Sequence, residues 1–315
     1  MNVSNYDIII IIIYFVFLFT IGFFRRSKNH ISQTDYIVYG RKLSLPGFVI
    51  TLVSTWYGAI LGVGENTYLY GIQTWFIFAF PYYIFAIVYA LWLSKIIWKK
   101  NILSIPDIFR KRYGNEIGII SAFFIFFLSS PAPYILSLGV LFNFIFNIKL
   151  IWCLLIASTF STIYVWKGGL SSIIKTDYLQ LILMFSGFFL LIGFSWHNSA
   201  SPLGLFKSLP STHQDPLGGN SLQYVLVWFF IAIWTIIDPN FFQRCTAVKN
   251  PEIAKKGLLI SICFWFLFDA MTVTAGLYAF IYTVPENPLM AYPLLGLEVL
   301  PPGFLGYFLV SLFAI

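Results

Sequence analysis

The chain has 315 residues, of which 59% are hydrophobic and only 10% are charged. Soluble domains carry roughly 25% charged residues, so this composition excludes an ordinary soluble protein and indicates one that lies in a lipid bilayer. The net charge of +7 does not indicate a nucleic-acid partner, because the basic residues cluster beside apolar segments, where such residues anchor a protein to the membrane surface.

Eight apolar segments have about the length needed to cross the hydrocarbon layer, which takes about 20 helical residues. They are 6–24, 45–64, 72–94, 117–146, 150–166, 178–195, 222–242 and 257–284. A ninth segment begins at Pro302 and reaches only Ile315, which is roughly 21 Å at about 1.5 Å per residue. We therefore expect an all-α polytopic membrane protein, of which this sequence is the N-terminal part.

Seventeen of the nineteen Lys and Arg residues fall in four alternate gaps between these segments, at 25–44, 94–116, 167–177 and 242–257. Loops rich in Lys and Arg face the cytoplasm, so the N-terminus is predicted to lie outside a plasma or inner membrane. The long connection 196–221 then also lies outside. Its content of Ser, Pro and Gly predicts an irregular loop.

The segment 45–64 contains Gly58, Gly62 and Gly64 together with several hydroxyl side chains. Each glycine lowers helix stability by about 1 kcal/mol relative to alanine. One interpretation is a helix that unwinds inside the bilayer and leaves carbonyls free, as in many secondary transporters. The other is a regular helix on which Gly58 and Gly62 form a close packing face. The pattern alone favours neither.

A second interruption is predicted in the segment 222–242, where Asp238 is followed by Pro239. Proline removes one backbone donor and frees the carbonyl one turn earlier. Two interrupted helices separated by five spans are the arrangement that an inverted repeat would place at its binding site. The alternative is an ordinary kink close to the inner surface of the membrane.

Asp269 lies in the middle of an apolar segment, between Phe268 and Ala270. An Asp at the bilayer centre costs about 2.5–3.5 kcal/mol on insertion scales, so it should face the interior of the bundle and find a partner. We favour a hydrogen-bonding role for Asp269 over direct contact with a ligand. Proton coupling through its carboxyl group is a further alternative.

Asp177 and Arg244 are both placed on the inner side by this topology, where an acid–arginine pair could close a gate. The alternative is an Asp that caps its helix and an Arg that anchors the membrane surface. No catalytic motif is present, and Cys153, Cys245 and Cys263 have no metal-ligand spacing. We therefore expect neither enzymatic activity nor a bound cofactor.

Four stretches carry a resemblance to a known family. They are Asp35-Tyr36 with Gly40-Arg41-Lys42-Leu43; Ile105-Pro106-Asp107 with Arg112-Tyr113-Gly114; Tyr164 with Gly168-Gly169-Leu170, Thr176-Asp177 and Gln180; and Gln243-Arg244 with Ala254-Lys255-Lys256-Gly257. In this order and spacing the chain resembles the sodium:solute symporter family, which includes sodium-coupled carriers of proline, sugars and pantothenate.

The resemblance implies a LeuT-type inverted-repeat transporter core, truncated here in the eighth core helix. The implied organisation is an extra helix with a cytoplasmic loop at 1–44, the first five-helix repeat at 45–195, an extracellular connection at 196–221 and the start of the second repeat at 222–315. The implied sodium site uses the backbone carbonyls of Leu52 and Thr55. Hydroxyl groups of the eighth core helix, beyond Ile315, would complete it.

The implied function is sodium-coupled symport of a small organic solute by alternating access. The residues expected to line the solute site are Ser54, Trp56, Tyr57, Gly58, Trp234 and Asp238, and the expected inner gate is Asp177 with Arg244. The second core helix is apolar at 76–81, which favours an amino-acid-like or carboxylate solute over a sugar. A transporter-like sensor domain and a proton-coupled carrier are the alternatives.

Overall fold

The computed structural model describes residues 3–23, 32–166 and 169–315. Within these ranges the chain is helical, and its β structure there is a single parallel bridge between Leu43 and Val248. Some predicted features lie outside the described residues. These are residue 24 of the first span, residues 25–31 and 167 of two basic gaps, and Gly168 of the family motif.

The first part of the chain forms one long helix and then a series of paired or kinked helices. Their bounds are α1 Asn5–Phe23, α2 Gln33–Val38, α3 Leu45–Ser54, α4 Ile60–Tyr70, α5 Gln73–Phe78, α6 Phe80–Val88, α7 Ser94–Lys100, α8 Ile105–Tyr113, α9 Asn115–Leu128, α10 Ala132–Phe146, α11 Leu150–Trp166 and α12 Leu170–Asn198. A π-helical turn, Tyr89–Leu93, joins α6 to α7.

The second part begins with two short helices in the connection 196–221. The bounds are α13 Pro202–Ser208, α14 Ser211–Gln214, α15 Leu222–Ile231, α16 Pro239–Ala247, α17 Pro251–Tyr282, α18 Ala291–Val299 and α19 Phe304–Phe313. The prediction of an irregular connection is therefore wrong in part. Ser201 starts α13 by accepting a hydrogen bond from the N–H of Gly204, which is ordinary N-capping.

Five helical segments of the described chain are long and apolar enough to cross a membrane: Gln73–Lys100, Asn115–Phe146, Leu170–Asn198, Leu222–Ala247 and Pro251–Tyr282. The predicted segment 117–146 is interrupted between α9 and α10, at the Pro131-Ala132-Pro133 sequence where a kink was expected. The predicted segments 6–24 and 150–166 correspond to the shorter helices α1 and α11, and 45–64 is divided between α3 and α4.

The core is built around α17, which packs against α3, α4, α12 and α18. Close approach depends on small residues: a side chain on Gly257 of α17 would overlap the ring of Phe48 on α3, and one on Gly276 would overlap Thr67 on α4. Close backbone approach at small residues is how membrane helices gain packing energy without a hydrophobic driving force. As a result, both halves of the interrupted first core helix are fixed against one long, continuous helix.

Candidate functional site

The first core helix is interrupted at residues 55–59, between α3 and α4. The hydroxyl of Thr55 donates to the carbonyl of Thr51 at 2.7 Å, and the N–H of Trp56 donates to Val53 at 3.3 Å. In a regular helix the N–H of Trp56 would instead pair with the carbonyl of Leu52. The carbonyl of Leu52 therefore loses its regular partner at the point where the sequence predicted unwinding.

Glycine contributes to this interruption at one position only. Gly58 lies within it, while Gly62 and Gly64 lie in the regular helix α4. A Cβ atom on Gly58 would overlap the ring of Tyr134, so the close approach of α10 to the interruption requires glycine there. The interpretation of a helix that unwinds is confirmed, and the interpretation of an unbroken helix with a glycine packing face is wrong.

The second interruption lies at Asp238, between the 3₁₀ segment Ala232–Ile237 and α16. Oδ1 of Asp238 accepts from the backbone N–H groups of Asn240 at 2.6 Å and Phe241 at 3.3 Å. Asp238 is thus the N-cap of α16, and Pro239 occupies its first position, where no N–H is needed. Oδ2 accepts from Nε1 of Trp234 at 3.2 Å, which fixes this ring beside the carboxylate.

A cavity of about 610 Å³ lies between the two interruptions. Eight residues singled out from the sequence lie on its wall: Leu52, Thr55, Trp56, Tyr57, Gly62, Trp234, Asp238 and Asp269. Binding sites for small molecules commonly occupy cavities of roughly 300–1,000 Å³. The structure therefore brings both interrupted helices and the buried acid to one cavity of suitable size.

Ser54 and Gly58 were expected to line the solute site, and neither lies on the cavity wall. The hydroxyl of Ser54 points away from it and donates to the backbone carbonyl of Asp177 on α12, at 3.2 Å. Gly58 is covered by Tyr134. Both residues therefore pack outside the cavity, next to residues that line it.

The carbonyl of Thr55, one of the two expected sodium ligands, accepts a hydrogen bond from the hydroxyl of Tyr134 at 3.1 Å. A carbonyl oxygen has two lone pairs, so this bond leaves one acceptor position. The carbonyl of Gly58 accepts a hydrogen bond from the hydroxyl of Ser137 at 3.4 Å, and Ser137 lies on α10, as Tyr134 does. The residues of the interruption are thus held in place by α10, which the sequence did not associate with the site.

Asp269 is 5% exposed and reaches the cavity from α17. Its carboxylate accepts a short hydrogen bond from the hydroxyl of Tyr83 on α6, and the hydroxyl of Tyr57 lies within hydrogen-bonding reach of it. The Tyr57 hydroxyl also donates to the carbonyl of Trp265 at 3.2 Å. Asp269 on α17 therefore lies next to both α6 and the interruption at residues 55–59, at the cavity wall.

Asp177 and Arg244 are both 2% exposed and form no direct ion pair within 4.0 Å in the described part of the chain. Thr51 lies between them: its hydroxyl oxygen accepts from Nη2 of Arg244 at 3.3 Å, and the same side chain lies within hydrogen-bonding reach of Asp177. α12 begins at Leu170, two turns before Asp177. The suggestion that Asp177 caps its helix is therefore wrong.

Aromatic residues form much of the cavity wall, and most of them were not predicted. They are Trp56, Tyr57, Tyr70, Trp75, Phe78, Tyr82, Tyr134, Trp234 and Phe241. Tyr134 directly follows the Pro131-Ala132-Pro133 sequence, and α10 restarts there. That proline signal could have marked Tyr134 for attention, whereas nothing local distinguishes Tyr82 or Trp75 from the many other aromatic residues.

Comparison with known proteins gives a consistent result. The family model described as "Sodium:solute symporter family" matches residues 36–315. The chain is 24% identical to sodium/glucose cotransporter 1 of Ovis aries, over 98% of this chain and 54% of that protein. It is 27% identical to the high affinity choline transporter 1 of Homo sapiens, over 79% of this chain and 46% of that protein. The chain thus spans about half the length of these curated relatives.

Among solved structures, the chain is similar to a Na⁺-coupled sialic acid symporter in a substrate-bound, outward-open state. The TM-score is 0.83 at 16% sequence identity, and the likeness covers 99% of this chain and 71% of that one. At this level of identity the likeness establishes the fold. The expected LeuT-type transporter fold is confirmed.

Proposed function

The chain belongs to the sodium:solute symporter family, and on that premise we propose that the protein carries out sodium-coupled symport of a small organic solute by alternating access. It would act as a carrier and not as an enzyme. The observation that carries this proposal is the first interruption, residues 55–59, which opens onto the same cavity as the second interruption at Asp238.

Sodium, as the coupling ion, would bind at the carbonyls of Leu52 and Thr55. Carbonyl oxygens released from an unwound helix are the ligands that secondary transporters use for Na⁺. The carbonyl of Leu52 supports this proposal because the N–H of Trp56, its regular helical partner, donates to Val53 instead. The carbonyl of Thr55 accepts one hydrogen bond from Tyr134 and keeps a second acceptor position for the ion. The hydroxyl ligands implied by the family resemblance would follow Ile315 in the eighth core helix.

The solute would bind between the interruptions, against Trp56, Tyr57, Trp234 and Asp238. Ser54 and Gly58 would shape this site from behind, through their contacts with Asp177 and Tyr134. Asp269 would hold Tyr83 and Tyr57 in position by hydrogen bonding. This is the role favoured for it from the sequence.

The inner gate would consist of Asp177 and Arg244 with Thr51 between them. Oδ2 of Asp177 and Nε of Arg244 each lack a hydrogen-bond partner within the described residues. Each group therefore has capacity for a further bond when α3, α12 and α16 move relative to one another. Coupling requires only that sodium and solute each bind one conformation better when the other is present.

The protein would act as a multi-pass protein of the plasma or inner membrane, with its N-terminus outside. Asp7, near the start of α1, contacts the start of α19. Both helix ends would then lie on the outer side of the membrane.

The test is uptake into proteoliposomes that contain the full-length protein, with an inward sodium gradient, with potassium in place of sodium, and with an inward proton gradient. The panel of solutes contains amino acids, carboxylates, sugars, vitamins and organic cations. We expect uptake of one class to require the sodium gradient. Uptake that persists without sodium and follows the proton gradient would contradict sodium coupling and favour proton coupling through Asp269.

A further inference from the structure

The charges on the cavity wall are all of one sign. Among the described lining residues, Glu65, Asp238 and Asp269 carry carboxylates, and none is Lys, Arg or His. A solute with a free carboxylate would face these like charges, with no basic side chain on the wall to pair with it, and such like-charge contacts weaken binding. A cation would be attracted to the same wall.

Asp238 is the best oriented of these carboxylates. Its two oxygens accept three hydrogen bonds, from the backbone of Asn240 and Phe241 and from Nε1 of Trp234. All three donors are neutral, so they fix the carboxylate without cancelling its charge. The negative charge is thereby held beside the ring of Trp234 at the edge of the cavity.

The ring of Trp56 is presented to the cavity in a fixed orientation. Trp265, which is fully buried and does not line the cavity, stacks on it with ring centroids 4.7 Å apart and an interplanar angle of 27°. Tyr82 contacts it in an edge-on arrangement at 5.3 Å. Phe241 is a second edge-on neighbour, at 5.5 Å. Trp265 covers one face of Trp56, so a ligand in the cavity would meet this ring from its other side. The faces of tryptophan rings attract cations more strongly than those of other side chains.

Arg244 is a cation that lies next to the cavity wall, so it contributes to the balance of charge around the cavity. Nη1 of Arg244 donates to the backbone carbonyl of Asn240 and to its side-chain oxygen, at 3.4 and 3.3 Å, and Asn240 lines the cavity. Arg244 itself does not line the cavity, and its charge interacts with the carboxylates of both Asp177 and Asp238. Four carboxylates, those of Glu65, Asp177, Asp238 and Asp269, outnumber the two cations, Arg244 and the proposed sodium ion at Leu52 and Thr55, so the wall stays negative.

From this wall we propose that the solute is a small organic cation of the alkylammonium type, held over Trp56 and Trp234 with its charge beside Asp238. This inference rests on the proposed symport function and names its substrate class. Quaternary ammonium groups suit such a site because they need no hydrogen-bond acceptor and interact through charge and ring faces. None of the described lining residues is a Lys, Arg or His that could pair with the carboxylate solute suggested by the apolar second core helix.

The test compares three ligands of similar size and different charge. Choline carries a trimethylammonium group, 3,3-dimethylbutan-1-ol carries an uncharged tert-butyl group in its place, and glycine betaine adds a carboxylate. Binding to the purified full-length protein is measured at saturating sodium, by equilibrium dialysis of labelled choline and by competition with the other two. We expect choline to bind at least about tenfold more tightly than either competitor, a difference of about 1.4 kcal/mol.

Two substitutions locate the site. Asp238→Asn keeps a good helix cap and removes the charge, so choline binding should weaken on the order of tenfold while binding of 3,3-dimethylbutan-1-ol stays unchanged. Trp56→Leu should weaken choline binding to a similar extent, and Trp56→Tyr should restore part of it. Glu252→Gln, an exposed acid at the start of α17, is the matched control and should bind choline as the unaltered protein does.

Three outcomes would overturn the inference. They are equal binding of choline and its neutral isostere, tighter binding of glycine betaine than of choline, and no choline binding at millimolar concentration. An Asp238→Asn protein that loses sodium affinity but still distinguishes the three ligands would also contradict it, since the carboxylate would then serve the ion.

Failure of this inference can be told apart from failure of the proposed function. Sodium-driven uptake of a neutral or anionic solute would support symport and contradict an organic cation as its substrate. Binding of choline that depends on Asp238 and Trp56, without sodium-driven uptake of any solute in the panel, would support an organic cation as the ligand and contradict symport.

Discussion

Arg244 on α16 donates from Nη2 to the hydroxyl oxygen of Thr51 on α3, at 3.3 Å and across 193 positions of sequence. The same hydroxyl lies within hydrogen-bonding reach of Asp177 on α12. A hydroxyl can accept one bond and donate another, so Thr51 links the buried cation to the buried acid. Three helices that move relative to one another in the proposed transport cycle therefore meet at one side chain.

Replacing Thr51 with Val removes this link while keeping the shape of the side chain. We expect Thr51→Val to lower stability by about 1–3 kcal/mol, because buried polar groups of Arg244 and Asp177 lose a partner. Thr51→Ser keeps the hydroxyl and should stay close to the unaltered protein. Thermal unfolding of the purified protein in detergent measures the difference, and equal stability of the two variants would contradict the link.

Exchanging the charges of Asp177 and Arg244 tests the proposed gate. Each of Asp177→Arg and Arg244→Asp places two like charges in a buried position, so we expect each single variant to lose sodium-driven uptake. The double variant restores opposite charges and should recover part of that uptake. If it transports no better than either single variant while its folded yield is normal, this pair does not determine gating.

Asp7 on α1 fixes the start of α19. Its Oδ1 accepts from the backbone N–H groups of Gly303 at 2.7 Å and Gly306 at 2.6 Å, in the manner of an N-cap supplied by a distant helix. We expect Asp7→Ala to lower stability by about 0.5–2 kcal/mol, the range for loss of a helix cap. Asp7→Asn keeps an oxygen acceptor and should lose much less. Protease sensitivity near Gly303 provides a local measurement, and equal cleavage of both variants would count against the cap.

Tyr83 donates to the carboxylate of Asp269, whereas the hydroxyl of Tyr89, also buried, has no hydrogen-bond partner within the described residues. This contrast offers a matched pair of Tyr→Phe substitutions. We expect Tyr83→Phe to cost about 1–3 kcal/mol, since a buried carboxylate loses a donor, and Tyr89→Phe to be neutral or stabilising. Denaturation curves of the two variants decide it, and the opposite order of stability would show that Asp269 does not depend on Tyr83.

Gly58 and Gly62 differ in what an added methyl group would meet. At Gly58 it would overlap the ring of Tyr134, whereas at Gly62, in α4, nothing lies within 4 Å. Gly58→Ala should therefore destabilise the protein, and Gly62→Ala should stabilise it by up to about 1 kcal/mol through helix propensity. Melting temperatures measured in the same detergent make the comparison. A destabilised Gly62→Ala protein would contradict the open space described there.

The positions of both helix interruptions were predictable because their causes are local. The hydroxyl of Thr55 competes for a backbone carbonyl within its own helix, and Pro239 directly after Asp238 starts a new one. The residues that take part in the first interruption were harder to predict from the sequence. Three glycines pointed to it, but only Gly58 takes part, because Tyr134 from a distant helix occupies the space beside it.

The lining of the cavity depended on contacts that no local pattern records. Each step along an α-helix turns a side chain by about 100°, so a shift of one residue in a helix boundary moves it from the cavity to the core. Ser54 and Thr55 are neighbours, yet Ser54 bonds to Asp177 while Thr55 lines the cavity. The link between Asp177 and Arg244 likewise required Thr51, a residue for which the sequence offered no signal.

By itself, the sequence determined that this is a polytopic helical protein and where two of its helices lose regular winding. The length of an apolar segment and the effect of proline on the backbone depend on residues that are close together in the chain, so both can be predicted from the sequence. The tertiary structure alone decided which side chains from α3, α6, α10, α16 and α17 surround one cavity, and that its charged wall is acidic. Those facts depend on the rotation and packing of helices that lie far apart in the chain.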